Sequence, residues 1–293
     1  MIHLAFRAAR LMAISIAVTL SPTGAATSAA VEQTDSGAPP RAAVVAVVRI
    51  DGSNGVIPLA SALRRAFGDQ DESLDIVIGT GLGGKERLDA LADHSIDIAL
   101  ASHGLDLAEL ARRGMTAHRI ALTPVVFAVH SDVTQREVSA RDVCDIFLGR
   151  ITNWASLGGP DLKVRPYMRP EAEVDTEIVR ASLPCMKSIV FPPSITIART
   201  TSEMLAVLQN TPGAIGVTTS TAVRQSIVAL RSLSIDSVTP LPENVTSGRY
   251  PLSRPAYFVT LTTPSRPVER FLEWVRGDRG AAVIIENGAL PVR

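Results

Sequence analysis

The sequence predicts an α/β fold with a mostly parallel sheet. Apolar runs of strand length alternate with amphipathic stretches at helical spacing through both halves of the chain. Glycine- and serine-rich turns lead from the early strands into the following helices. The 293 residues suit one large or two medium domains, and 46% hydrophobic with 20% charged residues is a globular composition.

The elements follow in order. Arg7 and Arg10, the apolar run Leu11 to Leu20 and the small residues Ala25 to Ala30 have the layout of a secretory signal peptide over residues 1–30. The uncharged run is shorter than the ~20 residues a spanning helix needs, so the mature product is expected to be exported, periplasmic and not membrane-spanning. Residues 31–41 read as a mobile leader. A continuous apolar run at 43–50 suits a strand buried on both faces, and the next helix has Ser53 or Asn54 as its cap and Pro58 in its first turn. A strand at 74–78, a glycine loop, a helix to Ala92, a strand at 96–101 and a helix at 106–113 continue the alternation. Residues 120–130 form an extended run long enough to leave one sheet and enter another.

In the second half, Ser139 and Asp142 make a capping box for a helix ending near Gly149. A strand at 162–168 and a helix at 172–182 follow, then a helix opened by Thr200 and Glu203 and a strand at 214–218. Residues 232–255 read as a connection rich in Pro and Ser, 257–262 as a further strand, and helices at 266–276 and 279–287 close the chain, with Gly288 as the last cap.

Charge and composition exclude several functions. Lys+Arg and Asp+Glu both number 29, so the surplus expected of a nucleic-acid groove is missing, and 4% aromatics leave little for base stacking. The five histidines show no metal-site spacing, so no metal is expected. The Gly79–Gly84 loop fits G-x-G-x-x-G, but its helix is short and Asp97 stands at the start of the next strand, away from where a ribose would lie. There is no Walker A sequence and no nucleophile elbow, and Ser102 beside His103 is not a triad by adjacency.

Three strand-to-helix loops remain: Asp51–Gly55, Gly79–Gly84 and Ala101–Gly104. In open α/β sheets ligands collect at such junctions, where helix N-termini offer free N–H groups and partial positive charge. Ser53, Thr80 and Ser102 add hydroxyl donors, and Arg169 adds a cation next to the acidic run Glu171, Glu173 and Asp175. That run reads either as a solvated helix start or as cleft lining. Cys144 and Cys185 can form a disulfide in an oxidising compartment or stay as two buried thiols.

The ordered motifs resemble the periplasmic phosphate-binding protein family, the substrate-binding components of ABC importers. The stretches DGSNGVIPLASAL, IGTGLGGKERLDAL, SIDIALASHGL, VCDIFLGRITNWASLGG, TPGAIGVTTS and FLEWVRGDRGAAVIIENGALPV carry the likeness over roughly 46–293. The resemblance implies a two-lobed type II periplasmic binding protein fold, with a ligand cleft between a discontinuous first lobe (42–122 plus 250–293) and a second lobe (123–249). It implies no catalysis and no cofactor, a small anionic ligand such as phosphate, a monomer, and an ABC permease or membrane sensor domain as partner. By the same resemblance Ser53 and Asn54, Thr80 and Gly81, and Ser102 and His103 match three contact loops, and Arg169 matches the arginine of the second lobe. The family's Ser-Gly-Thr after that arginine is absent, and Glu173-Val174-Asp175-Thr176 stands there, leaving Asp175 and Thr176 as contacts. Two carboxylates in a desolvated cleft would repel a dianion, so a sensor or scaffold with another ligand, or none, is the alternative function.

Overall fold

Val48, Ile50, Ile98 and Leu100 are almost wholly buried in one apolar core. The strand Ile98–Ala101 is buried throughout, but the strand expected at 43–50 is not covered on both faces: Val47 is 44% exposed and Arg49 is exposed, so its side chains alternate between core and solvent. The computed structural model describes residues 45–102 and 104–292. The expected signal peptide, the leader and His103 lie outside the described residues.

The first half runs β1 (Ala46–Gly52), α1 (Ile57–Gly68), β2 (Leu74–Ile78), α2 (Gly84–Ala92), β3 (Ile98–Ala101), α3 (Leu107–Arg112) and β4 (Met115–Val129). Next come β5 (Glu137–Val138), α4 (Ala140–Phe147), β6 (Arg165–Met168), α5 (Val174–Ser182), β7 (Thr196–Ile197), α6 (Thr201–Asn210), β8 (Ala214–Thr219) and α7 (Ser220–Arg224). The chain finishes with β9 (Arg231–Ser232), β10 (Ser234–Ile235), α8 (Pro242–Thr246), β11 (Ser253–Leu261), α9 (Arg266–Arg276), α10 (Asp278–Glu286) and β12 (Leu290–Pro291).

The strand order is β2-β1-β3-β11-β4-β8-β6-β7. β1 is parallel to β2 and β3, and β6 is parallel to β7 and β8, while β11 and β4 run antiparallel to their neighbours. The fifteen residues of β4 serve both halves: Met115 to Pro124 pair with β11, and Val125 to Val129 pair with β8. Each half has its own apolar core. One gathers Leu59, Leu63, Phe67, Phe258 and Phe271, the other Phe127, Phe147, Trp154, Met168 and Ile215. The outcome is the two-lobed α/β architecture expected from the sequence.

Several element boundaries depart from expectation: β4 starts at Met115 rather than 120, β6 at Arg165 rather than 162, and the connection expected at 232–255 holds β10 and α8. α1 starts at Ile57, and neither Ser53 nor Asn54 caps it; the Ser53 carbonyl accepts from the Val56 and Ile57 amides, which leaves the hydroxyl for another partner. β11 begins at Ser253 rather than 257, so Arg254 lies in a strand and not in the connection. Two expected helix starts are capped as read: Ser139 and Asp142 form a reciprocal box on α4, and Thr200 accepts from the Glu203 amide on α6.

Cys144 lies on the buried side of α4, with its Cα 6.2 Å from that of Cys185 and the two sulfurs at bonding distance. Trp154 is fully buried and its Nε1 donates to the Gly213 carbonyl at 3.0 Å, so its polar end is satisfied.

Two outcomes follow for stability. Phe271 packs edge-on to Phe67 at 5.3 Å between ring centres and stacks near Phe258, so Phe271→Ala should cost about 3–5 kcal/mol in denaturant unfolding. His118 on β4 sits beside Arg276, whose guanidinium can only donate, so Nδ1 accepts at 2.6 Å and Nε2–H donates to Thr260 Oγ1 at 2.9 Å. Burial first, and Arg276 second, hold this imidazole below its ordinary value of 6.5. A depressed histidine adds stability above that pH and loses it as pH falls through 6.5 towards the lowered value. The Tm difference between wild type and His118→Gln should therefore shrink on acidification from pH 7 to 5; an unchanged difference would contradict the assignment.

Candidate anion-binding cleft

Arg254 stands near the start of β11, opposite Thr123 of β4, where the chain crosses between the two halves. Its side chain is 1% exposed, and each of its nitrogens is occupied. Nε donates to Ser102 Oγ at 2.9 Å, Nη2 to Ser53 Oγ at 2.9 Å, and Nη1 to Asp175 Oδ1 at 2.5 Å. One guanidinium thus joins the β1–α1 loop, the end of β3 and the first turn of α5. Gly55 makes this possible, because a Cβ there would lie 2.3 Å from Arg254 Nη1.

The hydroxyls expected to meet ligand are partly committed inside the protein. Ser102 Oγ accepts from Arg254 and donates to the Pro255 carbonyl at 2.7 Å, and Ser102 is buried. Ser53 accepts from Arg254 and is half-buried. Thr176 Oγ1 donates to the Arg169 carbonyl at 3.0 Å, which fixes the turn from Arg169 into α5. Asp51 organises the glycine loop: its Oδ1 accepts from the Gly52 and Gly81 amides at 2.7 and 2.8 Å. Gly81 has φ +120°, and a Cβ on it would meet Asn54 Oδ1 at 2.4 Å, so glycine is what lets the loop close against Asn54. Thr80 is exposed on that loop.

Arg169 differs from Arg254. It is also 1% exposed, and its Nη1 donates to the Ala198 carbonyl at 2.8 Å, but Nε and Nη2 are buried with no hydrogen-bond partner among the described residues. Glu173 Oε2 stands 3.5 Å from Nη2, close enough for an ion pair but without a hydrogen bond. The Nε–Nη2 edge is the one that grips two oxygens of a carboxylate or phosphate side by side. On α2, Arg87 Nε is likewise buried and unpartnered. Burial, and the positive charge of Arg254, hold the Arg87 guanidinium below its ordinary range, while Glu173 pulls it up. Arg169, Arg254 and Asp175 are thus buried, while Arg87 and Glu173 are only partly so.

The acidic run after Arg169 divides three ways. Glu171 is exposed and paired bidentately with Arg180, at 2.6 and 2.9 Å. Glu173 faces Arg169, and Asp175 is 2% exposed against Arg254. The run therefore does not act as one unit: Glu171 is solvent-facing, and Glu173 and Asp175 are turned to buried arginines. A separate concavity of about 790 Å3 opens between α7, α8 and α10, and its walls mix Val228, Leu241 and Ile285 with Arg224, Arg231 and Glu243. None of the expected contact residues lines it.

Arg254 and Arg87 were absent from the sequence reading. Arg254 was hidden in a Pro- and Ser-rich stretch that reads as a connection. Arg87 sits on the polar face of a short helix, and periodicity does not distinguish a face turned to a cleft from one turned to solvent.

The comparisons agree with this architecture. The Bacillus subtilis phosphate-binding protein PstS is 27% identical over 250 residues, covering 83% of this chain and 80% of the relative. A structure of a phosphate ABC transporter substrate-binding protein from Clostridium perfringens superposes with a TM-score of 0.68 at 21% identity, over 84% of this chain and all of that one. A phosphate-binding protein from Stenotrophomonas maltophilia superposes with a TM-score of 0.61 at 13% identity, over 84% and 91% of the two chains. At such identities the superpositions establish the fold. Residues 23–279 match the family model described as the PBP superfamily domain, and the chain belongs to that family of two-lobed binding proteins.

Proposed function

We propose that this chain is an exported, non-catalytic solute-binding protein that captures a phosphate-like oxyanion between two lobes and delivers it to an ABC importer. The observation that carries the reading is the Nε–Nη2 edge of Arg169, buried and without a hydrogen-bond acceptor among the described residues. A buried guanidinium left open is costly, and an oxyanion supplies the two acceptors it lacks. Arg87 adds a second open donor nearby.

The relatives named phosphate-binding proteins support phosphate or a close analogue as ligand. In this reading lobe 1 comprises 42–122 and 250–293, lobe 2 comprises 123–249, and closure about the crossing strands β4 and β11 desolvates the ligand. Ser53, Asn54, Thr80, Gly81, Ser102, Asp175 and Thr176 line or brace the cleft around Arg169, and His103, expected as a contact from the sequence, lies outside the described residues. Ser102 and Thr176 brace it, since their hydroxyls are spent on Arg254, Pro255 and Arg169. The N-terminal thirty residues direct export, the permease is the partner, and the protein works as a monomer in the periplasm, where Cys144 and Cys185 form a disulfide. Among the described residues no helix is long and apolar enough to cross a membrane. A second reading, a sensor of the same fold, is favoured by the two carboxylates Glu173 and Asp175 at the arginines.

Thermal unfolding against phosphate, arsenate, sulfate and phosphonates tests the reading. At a hundredfold excess over Kd a specific oxyanion should stabilise by about 2.7 kcal/mol, a Tm rise of roughly 5–10 °C. No shift with any of them would favour the sensor reading. Arg169→Ala should weaken binding of the responding anion on the order of 100-fold, about 3 kcal/mol, and unchanged affinity would refute the anion site. The two cysteines are 41 positions apart, and removing their bridge with Cys144→Ala and Cys185→Ala should cost about 4 kcal/mol by the loop-entropy estimate.

A further inference from the structure

Glu173 occupies an unusual position for a carboxylate in an anion site. The turn that places it is short and fixed: its amide donates to the Pro170 carbonyl at 3.0 Å, and Thr176 Oγ1 ties the Arg169 carbonyl from the far side. Glu173 is therefore tethered four residues from Arg169, with Oε2 held 3.5 Å from Nη2. Its side chain is 29% exposed, against 2% for Asp175. Asp175 is locked by its short bond to Arg254, whereas Glu173 balances charge without accepting a hydrogen bond, since Arg169 Nε and Nη2 and Arg87 Nε have no hydrogen-bond acceptor among the described residues. A carboxylate in that position offsets the cost of buried positive charge in the empty cleft and is free to move to solvent.

We propose that Glu173 is a tethered counter-anion, which a free oxyanion displaces from Arg169. The inference rests on the oxyanion reading of the cleft and adds a determinant of affinity to it. The ligand class is one that presents two oxygens side by side to the Nε–Nη2 edge and so satisfies donors that Glu173 leaves open. Its binding is weakened by the work of moving Glu173 aside and by the repulsion that remains once Glu173 has moved. Charge at position 173 thus sets how readily the cleft gives up and takes its anion, and Arg254, already saturated by Asp175, Ser53 and Ser102, serves as the fixed floor beneath it.

Calorimetric titration of the protein with inorganic phosphate separates this inference from the reading beneath it. Glu173→Gln keeps the shape of the side chain and removes its charge. It should bind phosphate at least tenfold more tightly than wild type, and its unliganded Tm should fall, because Arg169 loses its counter-charge. A structural role alone would lower Tm without raising affinity. Equal or weaker phosphate binding by Glu173→Gln, with binding still weakened on the order of 100-fold by Arg169→Ala, would overturn the counter-anion and leave the oxyanion site standing. Absence of phosphate binding in both wild type and Glu173→Gln would overturn both.

Discussion

The cleft depends on one buried guanidinium. Arg254 lies where β11 and β4 cross between the halves, and its donors reach Ser53, Ser102 and Asp175 at once. A charge at 1% exposure is tolerable only with a full set of partners, and each partner here comes from a different segment of the chain. The requirement to satisfy Arg254 therefore fixes the relative placement of the β1–α1 loop, the end of β3 and the start of α5. Asp175 also stands in the first turn of α5, where the helix dipole favours negative charge, so the ion pair and the helix stabilise each other. Breaking the pair from either side would strand a buried charge, which costs several kcal/mol.

With Arg254 saturated, the open chemistry moves to its neighbours. Among the described residues Arg169 and Arg87 keep buried donors without acceptors, and the carboxylate beside Arg169 balances charge but does not accept a hydrogen bond. Charge balance and hydrogen-bond satisfaction are thus separated in this cleft. Asp175 supplies both to Arg254, while Glu173 supplies only the first to Arg169. The distinction explains how a site can hold two carboxylates and still be suited to an anion.

Much of the fold was legible because its signals are local. The apolar runs of β1, β3 and β8, the capping box at Ser139 and the closing helices all follow from patterns a few residues long. The 120–130 run signalled a strand shared between sheets because no single short strand needs that length. Of the residues gathered around the buried arginines, Ser53, Ser102 and Arg169 were legible, the serines because they stand at the ends of strands. Arg254 was not, because its role arises from contacts 79 to 201 positions away along the chain, and its own neighbours Pro251, Ser253 and Pro255 suggest a connection. The division of labour among Glu171, Glu173 and Asp175 was equally invisible, since all three lie on one short polar run and only the tertiary partners, Arg180, Arg169 and Arg254, tell them apart.

The most direct test of the account is a crystal structure grown with arsenate, whose arsenic can be located by anomalous scattering. The account predicts one bound arsenate with oxygens within hydrogen-bond distance of Arg169 Nε and Nη2 and of Arg87, and with Asp175 still on Arg254. Arsenate bound elsewhere, or a cleft in which Arg169 keeps its bare edge while the anion saturates the protein, would contradict it.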